Sequence, residues 1–415
     1  MKNYIRFLWR CFRLSFVGDW RYHLWMLILT IVALFGIHAY AGQFVHGLAV
    51  TGMSDHVSWG LYIANFTFLV GMAAAAVMLV IPVYIYKFKD MHELVIFGEL
   101  LAVASIIMCL LFITVDLGRP DRFMHLLFRF NFPISVLAWD VIVLNGYLLL
   151  NLHICGYLIY SAYCNREPSR WFYIPFVFVA IAWALSIHTV TAFLYSGLGS
   201  RPFWNSAVLA PRFLASAFAA GPAFIVLTLF VIRSTTRFAV HDRAIELLRL
   251  ILTVALTINL FLLGSEVFTE FYTDSAHAAS AHYLMFGLHG HTTLVPWIWT
   301  SIALNSAALL ILYSPLRRRD WAIGTACVAM ICGIWIEKGM GLVIPAFIPS
   351  PIGEIVEYHP TWDEIQICLG IWAIGLLLYT IFVRVSIPVL TGHLRIDKIY
   401  ETEARPTEPS APLQP

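Results

Sequence analysis

Eight ionisable side chains lie inside long apolar stretches of this 415-residue sequence. They are Glu99, Asp116, Asp140, Arg212, Arg249, Glu266, Glu337 and Lys338. A charged group in the hydrocarbon core of a bilayer costs about 3 kcal/mol or more, so such groups usually face the protein interior and are paired or functional. We therefore expect them to handle protons, an electron carrier or a solute. Arg249 lies three residues beyond Glu246, a spacing at which the two side chains are expected to pair.

Four of the buried carboxylates are candidates for a proton relay. At 1.5 Å per helical residue, Asp140 lies about 12 Å below one end of its apolar stretch, and Glu99 about 9 Å from the opposite membrane side. Burial disfavours the charged form of a carboxyl group, which therefore exchanges protons near neutral pH. Glu266 and Glu337 extend the pattern in the second half of the chain. The alternative is that these acids are neutral, hydrogen-bonded structural groups.

The string DLGRPDRF at 116–123 is the most specific motif in the chain. A glycine and a proline end the helix that carries Asp116, and Arg119 follows at a spacing that suits an Asp–Arg pair. With His125, these two residues are candidate ligands for the polar groups of a quinone. The alternatives are a purely structural ion pair at the helix end and the binding of lipid phosphates.

A second candidate group lies in the second apolar stretch. Trp59, Tyr62 and Phe66 recur at three- and four-residue spacing, so they share one helix face near a membrane boundary. Asn65 adds an amide donor beside this aromatic wall. A quinone ring needs a flat apolar wall and donors for its two carbonyl oxygens, so Trp59, Tyr62 and Asn65 are predicted to line a quinone pocket. An aromatic belt at the membrane interface is the alternative.

Ten apolar stretches must position these residues. They cover, to within a few residues, 24–45, 57–84, 95–117, 132–160, 171–197, 205–232, 245–270, 282–313, 320–346 and 362–388. Each is long enough to cross a bilayer, which takes about 20 apolar residues. The chain is 60% hydrophobic and 12% charged, which is about half the charged share of a soluble domain. The sequence predicts an all-α polytopic membrane protein with ten transmembrane helices.

The loop charges predict an orientation. Most of the Lys and Arg residues fall on the side of the two termini, which is typical of the cytoplasmic side of the inner membrane. The leader at 1–23 is basic and aromatic, and it is expected to lie along the membrane surface or to act only as a basic tail. Arg119, Arg122 and Arg129 are an exception, because they crowd into one outer loop. That loop is a candidate docking face for an acidic partner.

A faint internal duplication divides the apolar part. IHAY at 37–40 and GELL at 98–101 correspond to IHTV at 187–190 and IELL at 245–248. We predict a first four-helix bundle at 24–160 and a second at 171–313, followed by two additional helices at 320–388 and a Pro-rich cytoplasmic tail at 389–415. Chance similarity between hydrophobic segments is the alternative.

Cysteine and histidine spacing argues against metal cofactors. The seven cysteines form no CxxC pair, and an iron–sulfur cluster needs grouped thiolates, so none is expected in this chain. His38, His153 and His188 lie within helices without the paired spacing of a two-haem cytochrome b, so haem is not expected either. No nucleic-acid partner is expected.

The DLGRPDRF loop, the WG and small-residue run of the second stretch, and the string SVLAWDVIVLNGYLLLN at 135–151 resemble the NrfD/polysulfide-reductase family of membrane subunits. The strings IEKG at 336–339 and YHPTWDE at 358–364 are similar to its ten-helix branch, which includes subunits of complexes linked to sulfite reduction.

The resemblance implies two four-helix bundles and a menaquinone or ubiquinone site near the outer face. It also implies a periplasmic ferredoxin-like iron–sulfur subunit, a multihaem cytochrome c, a membrane haem-b subunit and a cytoplasmic iron–sulfur subunit as partners, with proton translocation through the bundles. Membrane lipids are the remaining partner. Two other functions stay open, because duplicated bundles with buried charges also suit a secondary transporter, and the charges of a purely structural anchor would only hold subunits together.

Overall fold

The computed structural model describes residues 2–88, 91–129, 131–273 and 278–396. Ten helical spans within these ranges are long and apolar enough to cross a membrane. The same ranges contain no strand, and their β pairing is limited to an isolated bridge between Leu288 and His291. The predicted class, an all-α polytopic membrane protein, is therefore confirmed.

The described residues form fifteen α-helices. They are α1 (Lys2–Leu14), α2 (Trp20–His46), α3 (Leu61–Ala73), α4 (Ala75–Val80), α5 (Val95–Asp116), α6 (His125–Phe128), α7 (Val136–Tyr163), α8 (Arg170–Ser196), α9 (Leu209–Thr235), α10 (Asp242–Thr273), α11 (Ala278–Met285), α12 (Val295–Tyr313), α13 (Asp320–Trp335), α14 (Gly341–Val343) and α15 (Trp362–Leu390). A π-helical turn follows α4 at Ile81–Ile85, and another joins α13 to α14 at Ile336–Met340.

The predicted leader forms an amphipathic helix. Phe7 of α1 is buried, with its ring 5.5 Å from Tyr160 and 4.9 Å from Tyr163, while Trp9 and Phe12 remain exposed. Basic residues occupy the same helix, as in helices that lie in a membrane interface. The predicted tail lies outside the described residues from 397 onward, and the orientation of both termini stays a prediction.

The loops gather on two faces, and contacts define one of them. The Gly52 amide donates to Glu364 Oε2 at 2.7 Å, and the Ser280 hydroxyl donates to Ile348 O at 2.8 Å. These contacts place 47–60, 278–294 and 345–361 on one face, to which the 117–135 loop also belongs because the spans alternate in direction. The charge pattern assigns this side to the exterior, so we call it the predicted outer face.

The YHPTWDE string locks the start of α15 to the start of α3. Thr361 caps α15, and its amide donates to Glu364 Oε2 at 2.8 Å in a capping box. The Tyr358 hydroxyl donates to Glu364 Oε1 at 2.6 Å and accepts from the Leu61 amide at 2.9 Å. Burial raises the pKa of Tyr358 above its usual range, so this hydroxyl remains a donor at neutral pH.

The two additional helices are integrated into the predicted bundles. The α13 span packs against α9 and α12, whereas α15 packs against α2 and α5. Helix α15 crosses α2 with its backbone in contact, because a Cβ on Gly36 would lie 2.6 Å from the Gly370 Cα. Small residues at such crossings let membrane helices approach closely. The division into two bundles itself stays a prediction.

Substituting Gly36 tests this crossing. Gly36→Ala places a methyl group where the α15 backbone lies, so α2 must shift away from α15. We expect the thermal-unfolding midpoint of the purified protein to fall by several degrees. Gly42→Ala is the matched control, since Gly42 is exposed on the same helix and a methyl group there would meet no described atom within 4 Å. Alanine favours helix at both positions, so an equal response of the two variants would contradict the packing argument.

Candidate functional site

A groove opens on the predicted outer face at the entrance to α7. Its volume is about 340 Å³, and it is lined by Leu117, Arg119, Arg122, Phe123, His125, Leu126, Arg129, Asn131, Ser135 and Ala138. Two of the predicted quinone ligands, Arg119 and His125, are therefore brought together here. The groove presents three guanidinium groups and an imidazole, together with Asn131, Ser135 and four apolar side chains.

The predicted Asp116–Arg119 pair does not form. Arg119 instead donates to Asp121, from Nε to Oδ1 at 3.0 Å and from the terminal nitrogen to Oδ2 at 2.9 Å. The hydrogen bond from Arg119 holds the pKa of Asp121 below its usual value. The expectation was wrong because Asp116 is the last residue of α5, whereas Asp121 lies in the short 3₁₀ turn that directly follows Arg119. Arg119 therefore pairs with Asp121.

Tyr62 is connected to the end of α5, beside Asp116, through Gln43, a residue that the sequence patterns did not identify. The Tyr62 hydroxyl donates to Gln43 Oε1 at 2.6 Å, and Gln43 Nε2 donates to Val115 O at 2.6 Å. Tyr62 is fully buried, and Asp116 Oδ1 has no hydrogen-bond partner among the described residues. A glutamine inside an apolar stretch was the available signal for Gln43, since its amide needs partners in a membrane.

Asn65 is enclosed by two tryptophans. Trp335 Nε1 and Trp372 Nε1 donate to Asn65 Oδ1 at 3.0 and 2.8 Å, and Asn65 Nδ2 donates to Leu61 O at 2.8 Å. The carbonyl oxygen has two lone pairs, both used here. Asn65 thus joins α3 to the α13 and α15 helices, and its amide is engaged within the chain.

Trp59 belongs to an aromatic cluster under the predicted outer face. Its ring stacks on Trp204 with centroids 5.4 Å apart and meets Tyr195 edge-on at 5.7 Å. Trp204 Nε1 donates to Leu342 O at 2.8 Å. The cluster therefore ties the 197–208 loop to the membrane part, and the predicted pocket residues Trp59 and Tyr62 are placed in packed surroundings rather than in the groove.

Asp140 is a buried carboxylate close in sequence to the groove. It lies two residues beyond Ala138, which lines the groove, and is fully buried. Thr191 Oγ1 donates to Asp140 Oδ1 at 2.8 Å, and no hydrogen-bond partner reaches Oδ2 from the part of the chain that the structure describes. A buried carboxylate oxygen without a donor is costly, which is typical of a group retained for function.

Glu337 occupies the centre of a buried charge cluster, defined here as Arg212, Glu266, Glu337 and Lys338. Arg212 donates to Glu337 Oε1 at 3.0 Å and forms an ion pair with Glu266. Asn259 Nδ2 donates to Glu337 Oε2 at 3.0 Å, and Asn305 Nδ2 to the same oxygen at 3.2 Å. Both asparagines were missed as partners, although an amide among apolar residues is a visible signal.

The cluster sits where the helix is irregular. Glu337 and Lys338 fall in the π-helical turn Ile336–Met340, which widens the span and turns both side chains inward. Such π-bulges are frequent at functional sites. Two carboxylates and two cations give the cluster no net charge when all four are ionised, which limits the cost of burying it.

Glu99 stands apart from the other predicted relay residues. It is buried near the end of α5 opposite the groove, within electrostatic range of Tyr84, Tyr147 and Cys155. Tyr147 follows Asp140 on α7 by seven residues, or about 10 Å of helix. Within residues 2–88, 91–129, 131–273 and 278–396, no hydrogen bond joins Glu99 to Asp140.

The predicted pairing of Arg249 is confirmed. Its Nε donates to Glu246 Oε2 at 2.8 Å, three residues earlier on α10. The hydrogen bonds between the two side chains keep Arg249 occupied on its own helix, so it takes no part in the charge cluster around Glu337.

The comparisons with known proteins identify the family. The family model "Polysulphide reductase, NrfD" matches residues 49–347, so the chain belongs to this family. It is 26% identical over 395 residues to a putative dimethyl sulfoxide reductase membrane subunit of Halobacterium salinarum, covering 85% of this chain and 88% of the relative.

Two further relatives match over similar lengths. A selenate reductase subunit of Mesobacillus selenatarsenatis is 22% identical over 92% of this chain and 97% of its own length. The Hdr-like menaquinol oxidoreductase integral membrane subunit of Archaeoglobus fulgidus is 23% identical over 88% of this chain and 93% of its own length. The chain is therefore a membrane subunit of a reductase-type electron-transfer complex.

The buried charge cluster makes a testable prediction about stability. Arg212→Gln removes the cation between Glu266 and Glu337 but leaves both carboxylates buried, a change that typically costs about 3–5 kcal/mol. We expect a strong loss of folded protein in size-exclusion chromatography and a lower thermal-unfolding midpoint. The double variant Arg212→Gln/Glu337→Gln should recover part of the loss.

The control for this prediction is Arg318→Gln, which changes an exposed residue near the opposite face and should leave stability unchanged. A double variant no more stable than Arg212→Gln alone would contradict a direct coupling between the two residues, because coupled residues give non-additive effects.

Proposed function

We propose that this chain is the quinone-reactive membrane subunit of its complex and that the groove beside α7 binds the quinone ring. The observation that carries the proposal is the placement of Arg119 and His125 in one groove. Ala138 of α7 also lines this groove, and the buried Asp140 follows Ala138 by two residues on the same helix. A quinone presents two carbonyl oxygens, for which the guanidinium and imidazole groups are suitable donors.

The groove also suits the size and solubility of the ligand. Small-molecule pockets have volumes of about 300–1,000 Å³, and the 340 Å³ groove lies at the low end, where a single substituted ring fits. Leu117, Phe123 and Leu126 supply apolar wall, and the site lies at the membrane boundary, which a lipid-soluble carrier reaches directly.

Quinone reduction consumes two protons and quinol oxidation releases two, so the site needs a buried acid. Asp140 meets this need, because its Oδ2 is available to accept or donate a proton while Thr191 holds Oδ1 in place. Glu266 and Glu337 would continue the relay into the charge cluster, and Glu99 would serve the opposite side. The menaquinol oxidoreductase subunit among the relatives supports a quinol as the reductant or product.

The electron partner is proposed to dock over the groove. Arg122 and Arg129 extend from it into solvent and form, with Arg119, a basic face for an acidic, ferredoxin-like iron–sulfur subunit in the periplasm. We include further partners in the same proposal. They are a multihaem cytochrome c, a haem-b subunit and a cytoplasmic iron–sulfur subunit, in a complex of dissimilatory sulfur metabolism. Purification of the native complex tests it, since a transporter would be isolated alone.

Asp140→Asn tests the proton-transfer role. The amide keeps the hydrogen bond to Thr191 but cannot exchange a proton in the same way, and general acid–base groups contribute about 10²–10⁴-fold to rate. We expect quinol turnover by the purified complex to fall about 100-fold while complex assembly is unchanged. Asp320→Asn, an exposed change on the opposite face, is the matched control. Unchanged turnover in Asp140→Asn would remove this residue from the mechanism.

Arg119→Gln tests the location of the ring. A photoreactive quinone analogue should label residues 117–138 in the complex, and the labelling should weaken in Arg119→Gln together with a rise in the KM for quinol. Arg318→Gln should retain the labelling. If the analogue labels the aromatic cluster around Trp59 and spares the groove, the quinone site lies deeper than we propose.

A further inference from the structure

A small cavity with a mostly apolar wall and three polar side chains lies between the aromatic cluster and the charge cluster. Thr67 and Gly71 of α3, Ser216 of α9 and Lys338 of the π-helical turn contribute to its wall. About 10 Å³ is accessible to the centre of a water-sized sphere, which is room for about one water molecule. Hydroxyl groups and an ammonium group are suitable partners for such a water.

Lys338 points into this cavity. Its side chain is buried, and Nζ lies 4.8 Å from the centroid of the Phe213 ring. Nζ has no hydrogen-bond partner among the residues that the structure describes, although an ammonium group has three donors. A buried polar group in this condition is usually explained by water, an ion or a functional role.

The opposite wall of the cavity leads toward Asp140. The Thr67 hydroxyl hydrogen-bonds to the Tyr195 hydroxyl, and Tyr195 lies one helical turn from Thr191, which donates to Asp140. The buried His188 lies on the same helix beside the Gly71 backbone, with Nδ1 2.8 Å from Ala184 O. The cavity therefore lies between the Thr67–Tyr195 pair, one helical turn from Thr191 and Asp140, and the charge cluster that includes Lys338.

We propose that Lys338 passes protons between the Glu337 side and the Asp140 side through a water molecule in this cavity, an inference that rests on the proposed function. In one direction, the Lys338 ammonium gives a proton to the water, and the water gives one of its own to the Thr67–Tyr195 pair. The pair releases one of its hydroxyl protons in turn, and the ionised Asp140 carboxylate is the final acceptor. The neutral amine then takes a proton from the Glu337 carboxyl. Each transfer breaks one N–H or O–H bond and forms another, so no net charge is created.

The charged groups around Lys338 fit this role. On the cluster side of Lys338, the charged groups are Arg212 and its hydrogen-bonded partner Glu337. Glu266 neutralises Arg212 on the far side. On the other side, His188 and Tyr195 of α8 and Asp140 of α7 lie behind the residues that line the cavity and are not themselves part of its wall. Lys338 would thus link the polar groups on the two sides.

Gly71→Ala tests the water without touching a charged residue. The added methyl would lie 3.5 Å from the Ala217 Cα, an ordinary contact, so the variant should fold and fill part of the cavity. The matched control is Gly264→Ala, which is exposed and meets no described atom within 4 Å. Lys338→Met, of similar length, removes the proton carrier and keeps the packing on Phe213.

Two measurements on the purified complex decide the inference. A cryo-EM map that shows ordered water should contain density within hydrogen-bonding distance of Lys338 Nζ in the wild type and lack it in Gly71→Ala. Quinol turnover should fall about tenfold or more in Gly71→Ala and Lys338→Met, with a larger solvent deuterium isotope effect, and should be unchanged in Gly264→Ala.

The relay is overturned if the wild-type cavity contains no water or if Gly71→Ala turns over like the wild type with the same isotope effect. A wild-type complex that does not react with quinol would instead overturn the proposed function, and the map would still decide whether Lys338 holds a water. If Lys338→Met misfolds, the water density and the quinol turnover of Gly71→Ala still test the proposal.

Discussion

The buried ion pairs around Glu337 are the interaction on which the rest of the membrane part depends. Arg212 of α9, Glu266 of α10 and the Glu337 turn are held together in a medium where an unpaired charge costs several kcal/mol. Asn259 and Asn305 complete the hydrogen bonding of Glu337 from α10 and α12. The positions of α9, α10, α12 and the α13 span are therefore coupled through one carboxylate.

A second buried polar centre, made of uncharged side chains, lies around Asn65. There the Trp335 and Trp372 indoles donate to one amide oxygen, which connects α3 with the helices that follow the second predicted bundle. Trp335 immediately precedes the π-helical turn of Glu337, so the two polar centres brace the same segment from opposite sides.

The residues that the sequence assigned to one quinone pocket are divided between the groove and the packed interior. Arg119 and His125 lie in the groove, close to the surface where a partner would dock, and Asp140 lies just below. Trp59, Tyr62 and Asn65 are instead part of the packed interior. A quinone ring in the groove would exchange protons with the interior by way of Asp140 and Thr191, while its electrons would travel outward. Under the proposed function, this arrangement would separate the proton path from the electron path.

The ten spans and their class were determined by the sequence alone, because an apolar stretch of about 20 residues in a bilayer must satisfy its backbone within a helix. The sequence also identified Asp140, Glu337 and Arg119, since charge in or beside an apolar run is visible without coordinates. The sequence did not predict the partners of these side chains. Arg119 meets Asp121 instead of Asp116, and Lys338 meets a cavity, because side-chain partners depend on helix rotation and on the π-helical turn. Those are set by packing between helices far apart in the chain, which only the tertiary structure decides.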